Sequence, residues 1–135
     1  MQFFNILLAA QAALAATVIQ TPFGYVSPRD SGPDSGGVTL MPGIGPWEKV
    51  NIIGVGNGQV VITTWRGTYL SARDNGDVTQ MPGLGPWEKW TQGSFQGKTY
   101  FQSWRGTYMS ARGDKGYVAQ APGIGAWEKF DLINV

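Results

Sequence analysis

Two short runs hold the side chains with the most chemical scope. Trp65-Arg66-Gly67 and Trp104-Arg105-Gly106 each set an indole beside a guanidinium, a combination that can stack on one face of a sugar ring and hydrogen-bond its hydroxyls. Tyr69, Ser71 and Arg73 follow the first run, Tyr108, Ser110 and Arg112 follow the second, and Tyr25, Ser27 and Arg29 stand at the matching place earlier in the chain. On an extended strand each such Tyr, Ser and Arg would share one face, because successive side chains alternate. The candidate ligand-binding set is therefore Trp65, Arg66, Tyr69, Arg73, Trp104, Arg105, Tyr108 and Arg112. The plain structural alternative is that each Trp covers one end of the domain, each Tyr lies over a neighbouring indole, and the Arg side chains are solvated.

Acid–base and nucleophilic chemistry find less support. Glu48, Glu88 and Glu128 recur at equal steps, but glycoside hydrolysis needs two carboxyls about 5 to 10 Å apart across one sugar. Equivalent positions in three repeats spread around an axis instead, and each Glu is followed by Lys, so these residues are expected as alternating surface charge or as turn partners. The chain has no Cys and no His, which removes thiol nucleophiles, Ser–His and Cys–His pairs, disulfides and zinc sites built on imidazole or thiolate. No cofactor, no metal and no enzymatic activity are expected. With 10 Lys and Arg against 9 Asp and Glu, a net charge of +1 is too small for the strong positive field that tracks a phosphate backbone, so nucleic acid is not an expected partner. Arg112-Gly113-Asp114 is read as a solvated hairpin turn before it is read as an adhesion triplet.

The elements that must position these residues come in three copies. Pro42-Gly43-Ile44-Gly45-Pro46-Trp47-Glu48-Lys49 returns beginning at Pro82 and again at Pro122, and the Trp65 to Arg73 run returns beginning at Trp104, with a degenerate first copy at Phe23-Gly24-Tyr25-Val26-Ser27-Pro28-Arg29. Such self-similarity is the signature of stacked supersecondary units. In the second copy the turn residues separate four short strands, over 60–65, 68–73, 77–81 and 87–92. Leu70 and Ala72 should face the core, as should Met109 and Ala111, and Val26 and Pro28. Asn75-Gly76 is the favoured pair for a two-residue hairpin turn with positive φ at both positions. Trp47, Trp87 and Trp127 are expected to be buried anchors of their repeats. Twelve short strands in three equivalent groups are best closed as a barrel, which leaves no free edge; a three-bladed propeller is the weaker alternative.

Residues 1–16 carry no charge and read as an apolar run ending in Ala13-Leu14-Ala15. That is the pattern of a secretory signal peptide cut after Ala15 or Ala16, since the run is short of the ~20 residues that span a bilayer. The mature domain is thus expected over residues 17–135, in repeats of about 17–58, 59–98 and 99–135, secreted, extracellular and monomeric, with no membrane contact after cleavage. No Asn-x-Ser/Thr acceptor is present, so N-glycans would not contribute to its stability.

Arg66-Gly67-Thr68-Tyr69-Leu70-Ser71-Ala72-Arg73, followed by Gly85-Pro86-Trp87-Glu88-Lys89-Trp90, closely resembles the repeat of the fascin-like β-trefoils. That repeat has a G-x-Y-x-S-A strand, a hairpin and a G-x-W-E-x-F strand. The resemblance covers residues 17–135 and implies an all-β fold, a β-trefoil of three four-stranded repeats with pseudo-threefold symmetry. A ricin-type lectin would show Q-x-W in every repeat, and here Gln102-Ser103-Trp104 alone fits. The fold hosts lectins, growth factors, protease inhibitors and actin bundlers, so it does not name the function.

Two functions remain in contention. The first is lectin-like recognition of an extracellular glycan through the repeated Trp-Arg and Tyr-Ser-Arg sets. The second is an effector or cysteine-protease inhibitor that binds a host protein through the one unsymmetrical loop. Tyr25 to Trp47 spans 22 positions against 18 and 19 in the later copies, and the excess falls in residues 30–37, including Asp30, Ser31, Pro33 and Asp34. Loops on a rigid scaffold are where recognition tends to reside. Actin bundling ranks last, since a single secreted domain has neither the multiplicity nor the compartment for it.

Overall fold

The computed structural model describes residues 16–29 and 37–135. The expected signal peptide, up to residue 15, and the loop residues Asp30, Ser31, Pro33 and Asp34 lie outside the described residues. Among the described residues there are twelve strands: β1 (Thr17–Thr21), β2 (Gly24–Pro28), β3 (Val38–Met41), β4 (Asn51–Gly56), β5 (Gln59–Thr63), β6 (Tyr69–Ala72), β7 (Val78–Met81), β8 (Trp90–Phe95), β9 (Lys98–Gln102), β10 (Tyr108–Arg112), β11 (Tyr117–Ala121) and β12 (Asp131–Asn134). Three one-turn 3-10 segments, Pro46–Glu48, Pro86–Glu88 and Ala126–Glu128, stand ahead of β4, β8 and β12.

Six strands close a ring. β1 pairs with β12, β8 with β9, β4 with β5 and β5 with β8. The bridges Thr17–Val50 and Thr99–Phe130 complete it. Val60 opposite Trp90 fills the same role in the middle repeat. The hairpins β2–β3, β6–β7 and β10–β11 are joined to one another through Tyr117–Thr39 and Asp77–Ala119. Closure hides the ladder groups that an open edge would expose.

The core is built from threefold sets. Ile19, Ile62 and Phe101 come from the first strand of each lobe, Val26, Leu70 and Met109 from the second, and Val38, Val78 and Val118 from the third. Ala72 and Ala111 are buried with them, and Pro28 is fully buried at their equivalent position, as the strand alternation requires.

Three expectations are corrected. First, the large buried aromatic of the second lobe is Trp90, fully enclosed, with Nε1 donating to the Leu70 carbonyl at 3.1 Å. Trp47, Trp87 and Trp127 are half-buried on the outside of the core. The cause is the 3-10 turn that all three repeats share: Glu48, Glu88 and Glu128 N–H close on the Gly45, Gly85 and Gly125 carbonyls at 3.2 Å, and in the second lobe the strand starts at Trp90 instead of Trp87. Val50 and Phe130 fill the equivalent core positions. Second, Glu48, Glu88 and Glu128 are not surface charges, since all three are buried, whereas the turn-partner reading holds: each accepts from the N–H of the glycine that opens its 3-10 turn. Third, Asn75 keeps a negative φ, and its side chain accepts a hydrogen bond from Asp77 N–H at 3.0 Å. Positive φ at successive residues is found instead over Gly56-Asn57-Gly58 between β4 and β5 and over Gln96-Gly97 between β8 and β9, which join one lobe to the next.

Candidate functional site

Each buried glutamate locks a loop onto a strand. Glu88 Oε2 accepts from Ser71 Oγ at 2.6 Å, and Oε1 accepts from Gly85 N–H at 2.6 Å. Ser27 and Gly45 hold Glu48 at 2.5 and 2.6 Å, and Ser110 and Gly125 hold Glu128 at 2.5 and 2.7 Å. A buried carboxylate persists when it is hydrogen-bonded in this way. The serine of the expected Tyr-Ser-Arg face is therefore spent on the interior: Ser27, Ser71 and Ser110 are fully buried and offer nothing to a ligand.

The clamp carries Trp47, Trp87 and Trp127 to the boundaries between lobes. Arg29 lies 3.9 Å from the centre of the Trp47 ring, Arg73 4.8 Å from Trp87 and Arg112 5.0 Å from Trp127. From the next lobe, Trp65 stacks on Trp47 at 5.7 Å and 17°, and Trp104 stacks on Trp87 at 5.0 Å and 1°. The indoles of Trp65 and Trp104 are also pinned through Nε1, which donates to the Pro28 carbonyl at 2.9 Å and to the Ala72 carbonyl at 2.7 Å.

The local fold explains this placement. Gly67 and Gly106, with φ of 83° and 86°, take the left-handed conformation that reverses the chain after each Trp-Arg pair. Gly67 N–H closes on the Thr64 carbonyl and Gly106 N–H on the Ser103 carbonyl, both at 3.0 Å. Arg66 Nη1 donates to Gln80 Oε1 at 3.3 Å and to the Arg29 carbonyl at 3.4 Å, and Arg105 Nη1 donates to Gln120 Oε1 at 3.1 Å. Gln80 Nε2 in turn donates to the Arg29 carbonyl at 2.6 Å, and Gln120 Nε2 to the Arg73 carbonyl at 2.8 Å.

The candidate residues thus regroup across lobes rather than within them. Arg29, Trp47, Trp65 and Arg66 form one constellation at the first junction, and Arg73, Trp87, Trp104 and Arg105 form its equivalent at the second. Tyr69 and Tyr108 do not join them. They begin β6 and β10 while Arg73 and Arg112 end those runs, and four residues of strand separate the two by about 13 Å. Tyr108 packs edge-on against Tyr100 at 5.6 Å. Arg29, Trp47 and Trp87 stand outside the candidate set drawn from the sequence; the signal that could have added them is that Arg and Trp recur at fixed places in all three copies.

The third junction is different. Phe23 takes the place of the stacking indole and meets Trp127 edge-on at 5.2 Å and 85°. It lies so close over Gly113 that a Cβ there would fall 2.4 Å from the ring. Arg112 is engaged by Asp114 at 3.8 Å, so the Arg112-Gly113-Asp114 triplet is tied into this junction. A shallow groove of about 490 Å³ opens beside the first constellation, lined by Arg29, Ile44 and Trp47 among others.

No family model and no curated protein matches the sequence. Solved structures match in fold. The designed 3-fold symmetric protein ThreeFoil superposes with a TM-score of 0.79 at 14% identity, over 89% of this chain and 99% of its own. The fold is a β-trefoil. A GlcNAcα1-4Gal releasing endo-β-galactosidase from Clostridium perfringens matches the trefoil with a TM-score of 0.80 at 13% identity, over 90% of this chain and 33% of the enzyme. The trefoil thus spans about a third of that enzyme's length, and at these identities the likeness is one of fold.

Proposed function

We propose that this trefoil is a secreted, non-catalytic glycan-binding module of the fascin-like type, and that its sites are the first and second lobe junctions. The observation that carries the reading is the exposure of Trp65 and Trp104, 43% each, although both rings are fixed by stacking and by an Nε1 hydrogen bond. An indole held rigid yet left open loses little entropy when a sugar ring stacks on it. The indole N–H is already used, so recognition would rest on the ring faces, with exposed Arg66 and Arg105 as the polar partners. That the Clostridium enzyme is an endo-β-galactosidase releasing GlcNAcα1-4Gal agrees with such a ligand without specifying it. Two equivalent sites on one rigid body bind a repeating polymer more tightly than either alone.

A glycan array with the mature chain tests the reading. Wild type should be retained on a subset of glycans, and Trp104→Ala should lower retention at least about tenfold, because it removes one platform and with it the bivalency. Replacing residues 30–37 with Asn-Gly should leave retention intact. No retention of wild type on any glycan, or a loss confined to the loop replacement with capture of a protease, would favour the protein-binding alternative instead.

A further inference from the structure

We propose that the first and second junctions select acidic glycans, with the paired arginines reading the carboxylate or sulfate group of a sugar whose ring stacks on Trp65 or Trp104. This rests on the glycan-binding reading above. The motivating observation is the distribution of unpaired charge. Among the described residues the ion pairs are Lys98–Asp131 and Arg112–Asp114, so Arg29, Arg66, Arg73 and Arg105 have no carboxylate partner there. These four are the arginines of the two Trp–Trp junctions. Arg112, the arginine of the junction that lacks the second Trp, is the one in an ion pair among the described residues, although Asp30 and Asp74 directly follow Arg29 and Arg73 in the chain.

Each junction brings its two guanidiniums from different lobes. Arg73 ends the second strand of the middle lobe and covers Trp87, while Arg105 is anchored through Nη1 on Gln120 of the last lobe. Gln120 Nε2 donates to the Arg73 carbonyl at 2.8 Å, which ties the residue that anchors Arg105 to the Arg73 backbone. The glutamate of the same loop, Glu88, is buried against Ser71 and Gly85 and is in no ion pair with either arginine. Asp77 near the same hairpin accepts from Asn75 at 3.1 Å. A junction that holds two guanidiniums outside any ion pair among the described residues, together with the exposed Trp104, suits a ligand that is both a ring and an anion. Guanidinium is the side chain best shaped to receive a carboxylate or sulfate with two parallel hydrogen bonds. The whole-chain charge of +1 cannot supply this attraction, so it would have to be local.

The experiment passes the mature protein over immobilised hyaluronan, heparin and neutral dextran. Retention is expected on an acidic polymer and not on dextran, and it should be lost in 1 M salt, where the screening length falls to about 3 Å. Retention on hyaluronan identifies carboxylate as sufficient; retention on heparin alone identifies sulfate. The Arg73→Gln/Arg105→Gln variant removes both guanidinium charges and leaves an amide at each position, and should lose at least about tenfold in retention, or ~1.4 kcal/mol, while still melting cooperatively, at a temperature lowered only by the lost contact of Arg73 with Trp87. Lys115→Gln, which removes an exposed charge outside both junctions, should bind as wild type. If that variant misfolds, the salt and polymer dependence of wild type decides. Equal binding of dextran, an undiminished double variant, or an equal loss in Lys115→Gln overturns the inference while leaving glycan binding standing. Absence of binding to any glycan on the array removes the parent reading and this one together.

Discussion

A carboxylate as enclosed as Glu88, 7% exposed, depends on the donors around it, and Ser71 and Gly85 supply both. Truncation to Glu88→Ala leaves a buried hydroxyl and a loop N–H without partners, each worth about 1–3 kcal/mol. The expected loss is about 2–4 kcal/mol of unfolding free energy, a large part of a typical domain's ~5–15 kcal/mol. Glu88→Gln should lose less, since the amide oxygen can still accept one of the two bonds. Urea denaturation of the three proteins checks this; a midpoint for Glu88→Ala equal to wild type would show that the loop holds its place by packing alone.

At the scale of elements, the 3-10 turn decides which aromatic faces inward. Pro86–Glu88 interrupts the strand that an alternating pattern would start at Trp87, and the interruption sends Trp90 to the core and Trp87 to the lobe boundary. Trp90→Ala should therefore cost about 3–5 kcal/mol through the cavity it leaves. Trp87→Ala should cost about 1–3 kcal/mol, the scale of one aromatic stack and one partly exposed cation–π contact. Thermal melts of the two variants side by side check the order, and a larger loss for Trp87 would contradict the inward placement of Trp90. The turns between lobes follow the same economy of local geometry. Asn57 tolerates the left-handed region and Gly58 prefers it, so that pair in the sequence was a readable hairpin signal, whereas Asn75 uses its side chain to cap its own turn.

Across the whole molecule the lobes are interlocked in a cycle. The second lobe reaches the first through Trp65 and Gln80, the third reaches the second through Trp104 and Gln120, and the first returns to the third through Phe23 and through β1 on β12. No lobe buries its apolar face by itself, as is general for repeat units that share one core. A peptide of residues 59–97 is expected to be unstructured by circular dichroism, while the chain over residues 17–135 melts in one cooperative transition. Strand signal from the isolated lobe, or two separated transitions in the whole chain, would mean that the lobes fold independently.

The sequence by itself determined the parts that depend on near neighbours. The three copies, the four strands in each, and the inward sets Val26, Leu70 and Met109 follow from a two-residue side-chain period and from turn residues within a few positions of the strands they join. It also carried the Trp-Arg runs as candidates. Tertiary structure alone decided the company they keep. Trp65 meets the Pro28 carbonyl 37 residues away, and Trp104 meets that of Ala72 32 residues away, across boundaries that exist only once the ring has closed. Grouping Trp65 with Arg73 because they lie in one copy was natural from the chain, yet Arg73 belongs with Trp104, since a strand carries its two ends to opposite sides of a lobe. Burial of Glu88 was likewise invisible, because what makes it tolerable, a serine 17 residues earlier on the adjoining strand, is a matter of packing between elements and leaves no periodic trace.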